Sequence, residues 1–433
     1  MATIFLLIVI YLAYLSLGLP DGLTGVAWPE MRITFNLPLA GAGFLTIIGT
    51  IGSTIASFSS GHILRRIKTG PLVLLSCLLT GVSIFLYGFA GNFWFLVMLT
   101  IPMGFGAGAV DAAMNHYVAR HFTSKHMNWL HAFWGMGAFA GPLLMTFAIT
   151  SLGSWRNGYH IIGIIQLVLA VIFFLSLRVW TIRDSHPPTQ TVLSSTSGTN
   201  NESNNPAQPN AKKVISPHEI RAERDTITDP VPTINSKLGA KLRLAASEVF
   251  SRKGLFYAIA TFFFYVGAEA VLGLWSATYF REVRHVTVKS AGLWVSLYYA
   301  MITVGRIFIG FFVEKIGATR AIKIGVAISI LGFAVLITPI YPYIFCPIGI
   351  ALIGFGFAPL YPCVMQDTPL RFGSFAIIAT GYQMGFANIG YTLLPILVAL
   401  VADAITLHII PLFALAFLLL FAVFAQKLSR IRA

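Results

Sequence analysis

The sequence predicts an all-α membrane protein, with twelve transmembrane helices in two pseudo-symmetric six-helix bundles. Three observations carry this. Of 433 residues, 57% are hydrophobic and only 10% charged, whereas about a quarter of a soluble domain is charged. Twelve apolar runs have roughly the 20-residue length that a hydrocarbon core demands. A polar segment in the middle of the chain divides them six and six, and glycines recur at one offset in the two halves.

The spans are read in order as 3–28, 38–60, 70–90, 93–118, 128–150, 157–178, 254–280, 289–312, 319–339, 343–366, 373–401 and 404–426. The first lacks the basic n-region and the A-x-A-like site of a cleaved signal peptide and outruns the usual apolar core of one, so it reads as span 1. It is interrupted at "LGLPDGLTGVAWPEM", Leu17–Met31. Pro20, with Gly18 and Gly22, marks a place where this helix bends beside a cavity. Residues 184–235 are rich in Ser, Thr, Asn and Pro and cannot bury a core, so a disordered cytoplasmic linker is expected. Residues 236–254, "SKLGAKLRLAASEVFSRKG", read either as a basic amphipathic helix on the membrane surface or as a solvated helix leading into span 7. The expected organisation is an N-terminal bundle (1–183), a linker (184–253) and a C-terminal bundle (254–433).

A net charge of +14 looks like a nucleic-acid signal until the charges are placed. With both termini on one side, 23 of the 29 Lys and Arg fall on that side; Arg32, Arg156, Arg281, Arg284 and Lys289 fall opposite, and Arg306 lies within span 8. By the positive-inside rule that side is cytoplasmic. The basic balance thus reflects topology and anionic inner-leaflet lipid, and no nucleic-acid partner is expected. An integral protein of the cell (inner or plasma) membrane is expected, monomeric, with both termini inside. Cys77, Cys346 and Cys363 lie in apolar runs and read as small buried hydrophobes, forming neither a metal motif nor a disulfide framework.

A shift of 249 residues pairs Gly18 with Gly267, Gly43 with Gly292 and Gly61 with Gly310; one residue more pairs the GFG of 104–106 with that of 354–356. Two parallel six-helix halves around a central site are a transporter plan. The segment after span 2 reads "GHILRRIKTGP", from Gly61; the segment after span 8 reads "GFFVEKIGATR", from Gly310. The second has the form G-x-x-x-acid-base-x-G, with Gly310, Glu314, Lys315 and Gly317. It resembles the loop signature of the major facilitator superfamily, which stands between helices 2 and 3 and again between 8 and 9. The first copy departs from it: Arg65, followed by Arg66, replaces the usual acid, and Lys68 replaces the second glycine. That half's conformational latch is therefore expected to be wired differently.

Three acids lie well within spans: Asp21 in span 1, Asp111 in span 4 and Glu269 in span 7. A charge at mid-bilayer costs about 2.5–3.5 kcal/mol on insertion scales, so such residues usually face a cavity. At 1.5 Å per residue, Asp21 lies about 25 Å along its helix, in the outer half; Asp111 falls in the inner half and Glu269 near the middle. The resemblance implies that spans 1, 4, 7 and 10 line the central cavity, which puts all three acids on lining helices. Acids spaced through a barrier suit a proton path, because burial disfavours the carboxylate charge. A structural alternative for Asp21, bonding to backbone amides freed near Pro20, stays open. Arg306, one turn before Gly310, reads as a structural ion pair or a snorkelling side chain. Glu30, at the outer end of the same stretch, is expected not to matter.

Span 4 reads "GFGAGAVDAAMNHYV", with Asp111 and Asn115, and span 5 opens "NWLHAFWGMGAFAGPLL" at Asn128. With the span 1 acid, these resemble the fucose permease branch of the superfamily. That branch implies proton coupling and sugar binding by acids on helices 1 and 4, here Asp21 and Asp111, with Asn115 and Asn128 at its polar positions. The branch often carries Glu where Asp111 stands. Trp134, Trp275, Tyr382, Gln383 and Asn388 are further candidate sugar contacts, and His131 is a candidate proton relay. The recurrence of His116, His121, His126 and His131 every five residues holds no helix face.

The function expected is proton-coupled uptake of a sugar or similar small polar solute, with sodium still open as coupling ion. The rival is proton-antiport efflux of drugs. Gly137-x-x-x-Gly141-Pro142 partly matches an antiporter motif, but Met145 and Thr146 replace its last glycines and span 4 carries no base. No H-E-x-x-H, no G-K-[ST] phosphate loop and no grouped His and acid argue for an enzyme, a metal or an organic cofactor.

Overall fold

The computed structural model describes residues 2–122, 124–184, 254–338, 345–372 and 376–431. The chain divides into two units, one comprising 1–187 with 252–433 and the other 188–251. The second unit, the expected linker and most of the 236–254 segment lie outside the described residues.

The N-terminal bundle comprises α1 (Ala2–Gly18), α2 (Leu23–Phe35), α3 (Gly41–Arg66), α4 (Thr69–Tyr87), α5 (Phe93–His121), α6 (Ser124–Ser151) and α7 (Trp155–Asp184). The C-terminal bundle comprises α8 (Leu255–Glu282), α9 (Val288–Ile316), α10 (Ala318–Ile337), α11 (Phe345–Phe357), α12 (Leu360–Phe372), α13 (Ala376–Ala404) and α14 (Ile410–Arg430). Spans 1 and 10 are each two helices in line. Eleven helical stretches among the described residues are long and apolar enough to cross a membrane; the second span, α3, adds a shorter apolar stretch, Gly41–Ser57.

Span 1 breaks where the sequence placed the bend. Pro20 has no N–H to continue the helix ladder, and Gly22 sits at φ 76°, a left-handed conformation that glycine adopts without penalty. The second half then runs on to Phe35, past the expected end at residue 28. Span 10 breaks at Ala358–Pro359, which the sequence reading missed; Pro359 ends α11 for the same reason.

The segments read as signature loops are mostly helix. Gly61, Arg65 and Arg66 lie in the last turns of α3, and Gly310, Glu314 and Lys315 in those of α9. Gly317 alone separates α9 from α10, at φ 85°. Its counterpart Lys68 caps α4 at φ −62°. The absence of a second glycine in the first half follows from this: that turn never enters the left-handed region.

The N-terminal bundle closes on a core from α1, α4, α5, α6 and α7, including Tyr14, Val73, Met114, Leu130, Phe173 and Trp180. The two bundles meet where α6 packs on α9, α2 on α8 and α3 on α13. Small residues allow close approach at these seams. Gly25 lies on the backbone of Gly273, Gly135 on Thr303, and Gly292 on Thr146. Successive helix ends alternate between two faces. Exposed Arg66, Lys315, Arg320, Lys323, Lys427 and Arg430 mark one as basic.

Candidate functional site

The break in span 1 hands Asp21 to α6. Helix α1 ends against that helix because Gly18 lies on the backbone of Trp134 and Ala138, leaving no room for a Cβ. Gly137 and Gly141, the glycines of the partial antiporter motif, lie on the carbonyls of Leu15 and Leu19. Two helices are thus seated groove to groove at the break. The Asp21 amide closes a turn to the Gly18 carbonyl at 3.0 Å, and its carboxylate Oδ2 accepts from the Trp134 indole Nε1 at 2.8 Å. Among the described residues that carboxylate bonds to the indole and not to an amide of α2.

Trp134 faces the other bundle as well. The Arg306 guanidinium of α9 lies over its ring, 5.6 Å from the centroid. Arg306 in turn pairs with Glu269 of α8 at 3.9 Å. That separation exceeds hydrogen-bond reach, and among the described residues the Arg306 Nε has no hydrogen-bond partner. The result is a chain, Asp21–Trp134–Arg306–Glu269, that crosses from one bundle to the other. Of the two readings of Arg306 the ion pair matches its bonding, and the pair stands against the cluster of acids.

Asp111 forms a second centre in the N-terminal bundle. Its Oδ1 accepts from the Tyr14 hydroxyl at 2.7 Å and from Asn115 Nδ2, one turn on, at 3.0 Å. Both donors use one oxygen, so Oδ2 is uncommitted among the described residues. His131 meets Tyr14 edge-on at 5.5 Å. Tyrosines of the C-terminal bundle complete the surroundings. Tyr299 and Tyr391 lie in the field of both Asp21 and Glu269, Tyr361 in that of Asp111, Glu269 and Arg306, and Tyr265 beside Glu269 and Arg306.

Of the residues singled out from sequence, the structure brings together Asp21, Asp111, Asn115, Glu269, His131 and Trp134. It does not bring Trp275 or Gln383 to them. Trp275 is 0% exposed, and its indole donates to the Pro395 carbonyl at 2.9 Å, tying α8 to α13. Gln383 is equally buried and accepts from Thr368 at 3.0 Å. Tyr382 is half-buried on α13 and Asn388 exposed there, its carbonyl accepting from Thr392. Asn128, read from sequence as the opening of span 5, lies one turn inside α6, which begins at Ser124, and its side chain is outside the described set. Arg306, Tyr14 and the C-terminal tyrosines were missed as site residues. An arginine within span 8 and tyrosines in apolar spans were the available signal.

Glu30 lies in an ion pair. It pairs with Arg281 at 2.7 Å, and Arg32 pairs with Glu282 at 3.3 Å. Two reciprocal ion pairs thus clasp α2 to α8 at the face opposite the basic one. The Ala40 amide meets Asp403 there at 3.3 Å.

Two broken-helix bundles, a polar cluster held between them and seams of small residues define a membrane transporter, not an enzyme. The family model described as Major Facilitator Superfamily matches residues 10–381. The chain belongs to the major facilitator superfamily.

Among curated relatives, Bypass of stop codon protein 6 of Saccharomyces cerevisiae is 19% identical over 415 residues, 92% of this chain and 77% of that protein. Synaptic vesicle glycoprotein 2C of Rattus norvegicus is 24% identical over 136 residues, 30% of this chain and 19% of that protein, so the chain spans about a fifth of that relative's length. Sodium-dependent glucose transporter 1 of Homo sapiens is 24% identical over 148 residues, 34% of this chain and 29% of that protein. Similar folds include the nucleoside transporter NupG, solved as a point mutant (TM-score 0.69, 15% identity, 99% of each chain). The D-xylose-proton symporter follows (0.68, 14%, 97% of each chain), as does FucP in the outward conformation (0.59, 14%, 100% of each chain).

Proposed function

We propose that this protein is a secondary transporter that couples proton movement to uptake of a sugar or a similar small polyhydroxylated solute by alternating access. The observation that carries the reading is the Asp21–Trp134–Arg306–Glu269 chain. One carboxylate of the N-terminal bundle is joined through one indole to an ion pair of the C-terminal bundle. Protonating Asp21 removes the charge that its indole bond serves. The same ring carries the guanidinium, so a change at Asp21 reaches the seam on which the bundles rock.

The substrate side of the proposal rests on Asp111. Its free oxygen can accept a hydroxyl proton, Asn115 offers amide chemistry beside it, and Tyr14, Trp134 and Tyr361 supply ring faces, the pairing that sugar sites use. The related folds solved as a D-xylose-proton symporter and a nucleoside transporter, and the sodium-dependent glucose transporter among the relatives, support sugar-like cargo without naming it. By the positive-inside rule we orient the basic face to the cytoplasm. In this orientation the ion-paired clasp faces outside.

The test is transport in proteoliposomes. An imposed pH gradient should drive accumulation of the cognate sugar, and Asp21→Asn should keep sugar exchange while losing proton-driven accumulation. Undiminished coupling in Asp21→Asn would remove Asp21 from the mechanism. Driving by a sodium gradient would replace the coupling ion, and sugar-independent export of cationic dyes would replace uptake with efflux.

A further inference from the structure

Helix α1 ends with a problem in its hydrogen bonding. In an unbroken helix the carbonyl of Ser16 would accept from the N–H of residue 20, and residue 20 is proline. A carbonyl stranded in the packed interior of a membrane bundle costs free energy unless some donor reaches it. One does. The side-chain Nε2 of Gln166, on α7, donates to the Ser16 carbonyl at 2.8 Å. Gln166 is 1% exposed, an expensive place for an amide with no task.

The amide is held from its other end. Thr80 of α4, also buried, donates to Gln166 Oε1 at 2.8 Å. A carbonyl only accepts, so the end of the amide that faces Ser16 must be its NH2 end. Gly81 leaves room for the Gln166 stem, an added Cβ there meeting the Gln166 Cβ at 3.2 Å.

The second half of the molecule provides a comparison. At the repeat offset of 249, Pro20 corresponds to Glu269, which has an N–H, and α8 runs unbroken from Leu255 to Glu282. Gln166 corresponds there to Leu415, or to Ala416 one residue on, and both are apolar. Thr80 corresponds to Ser329; both hydroxyls reach the carbonyl one turn back, Ser76 at 3.1 Å and Gly325 at 2.8 Å, but among the described residues only Thr80 also reaches another helix. Where the proline is absent, the glutamine is absent too.

We propose that Gln166 is a positioning residue for the break in span 1: its side-chain amide replaces the N–H that Pro20 lacks and so holds Asp21 against Trp134. Only the link to transport rests on the proton-coupling reading; the hydrogen-bond replacement stands without it.

The test is a double-mutant cycle on the purified full-length protein, comparing Pro20→Ala, Gln166→Leu and the pair by thermal unfolding. In Pro20→Ala the backbone N–H returns and the amide is no longer needed. Gln166→Leu should lower the Tm by several degrees in the otherwise unchanged protein and by less than half as much when combined with Pro20→Ala. Equal losses in the two backgrounds would overturn the proposal. Should Gln166→Leu yield no folded protein, Gln166→Asn, one methylene too short to reach, takes its place in the same cycle.

A second readout separates positioning from plain packing. Dicyclohexylcarbodiimide labelling of Asp21 is followed against pH by peptide mass spectrometry. Asp21 is faced by Trp134 on α6, Tyr299 on α9, Tyr391 on α13, Glu269 on α8 and Asp111 on α5. The labelling profile should shift in Gln166→Leu and stay put in Val73→Ala, a core truncation in the same bundle. A profile unmoved in Gln166→Leu would confine the residue to stability and overturn its positioning role. If proton-driven transport fails while the cycle is non-additive and the profile shifts, the inference survives and the function reading does not.

Discussion

Trp134 bonds in two ways with two parts of one ring, and the two can be separated. Trp134→Phe keeps a face for Arg306 and deletes the N–H that Asp21 accepts. A hydrogen bond to a charged group contributes about 1.5–3 kcal/mol, so this variant should lose roughly 10- to 100-fold in proton-driven accumulation while sugar exchange persists. Trp134→Leu, losing the face as well, should impair both; equal transport by the two variants would show that the indole N–H is idle. Around Asp111, Tyr14→Phe and Asn115→Leu each remove one donor from the same oxygen. Each should weaken sugar binding in a thermal-shift titration, and the pair should weaken it less than additively, because the two bonds share an acceptor. The acids could be singled out from sequence because a carboxylate in an apolar span needs a cavity; Trp134 was one of several candidate aromatic faces, and its bond to Asp21 was not foreseen. Tyr14 and the cluster role of Arg306 were not foreseen either. A tyrosine in such a span reads equally as an interface anchor, and Arg306 within span 8 reads equally as a structural ion pair or a snorkelling side chain. Which face of a helix a residue occupies is settled by packing, as the Trp275 indole N–H and the Gln383 carbonyl oxygen show, both bonded to a neighbouring helix.

At the scale of elements, the breaks and turns carry most of the information. The bend in span 1 could be read from Pro20 between two glycines. The break in span 10 could have been read from Pro359 and Pro362, but the run's length and hydropathy hid it. The two signature segments differ for a backbone reason that the residue types alone did not reveal. Gly317 stands at φ 85° and Lys68 at φ −62°. Gly317 also has ψ 143°, a positive-φ, extended-ψ conformation that only glycine adopts readily, so Gly317→Ala should destabilise the protein by about 1–3 kcal/mol. Lys68→Gly should change stability by less than half as much. Denaturant or thermal unfolding of the two variants checks the asymmetry, and equal losses would contradict it.

For the whole molecule, the twelve spans and their six-plus-six division follow from hydropathy, the central polar segment and the glycine repeat; the seams of Gly25 and Gly135 between the halves do not. The clasp between α2 and α8 did not, because Glu30, Arg32, Arg281 and Glu282 lie far apart in sequence and each resembles an ordinary loop charge. In the orientation proposed here, Glu30→Arg or Arg281→Glu alone should loosen that face, and the double charge swap should restore it. Nitroxide pairs at Ile33→Cys and Ser290→Cys would read this as a broadened distance distribution in each single variant and a narrow one in the swap. The pairs are partly exposed, so each contributes only about 0.2–1 kcal/mol.

Weak bonds of that kind answer to the medium that bathes them. At 0.1 M ionic strength the screening length is about 10 Å, and at 1 M about 3 Å. Among the described residues the clasp of α2 on α8 holds two such pairs, so in the orientation proposed its grip is set in part by the salinity outside. Dilute surroundings would keep it shut longer between cycles, and brine would let it gape.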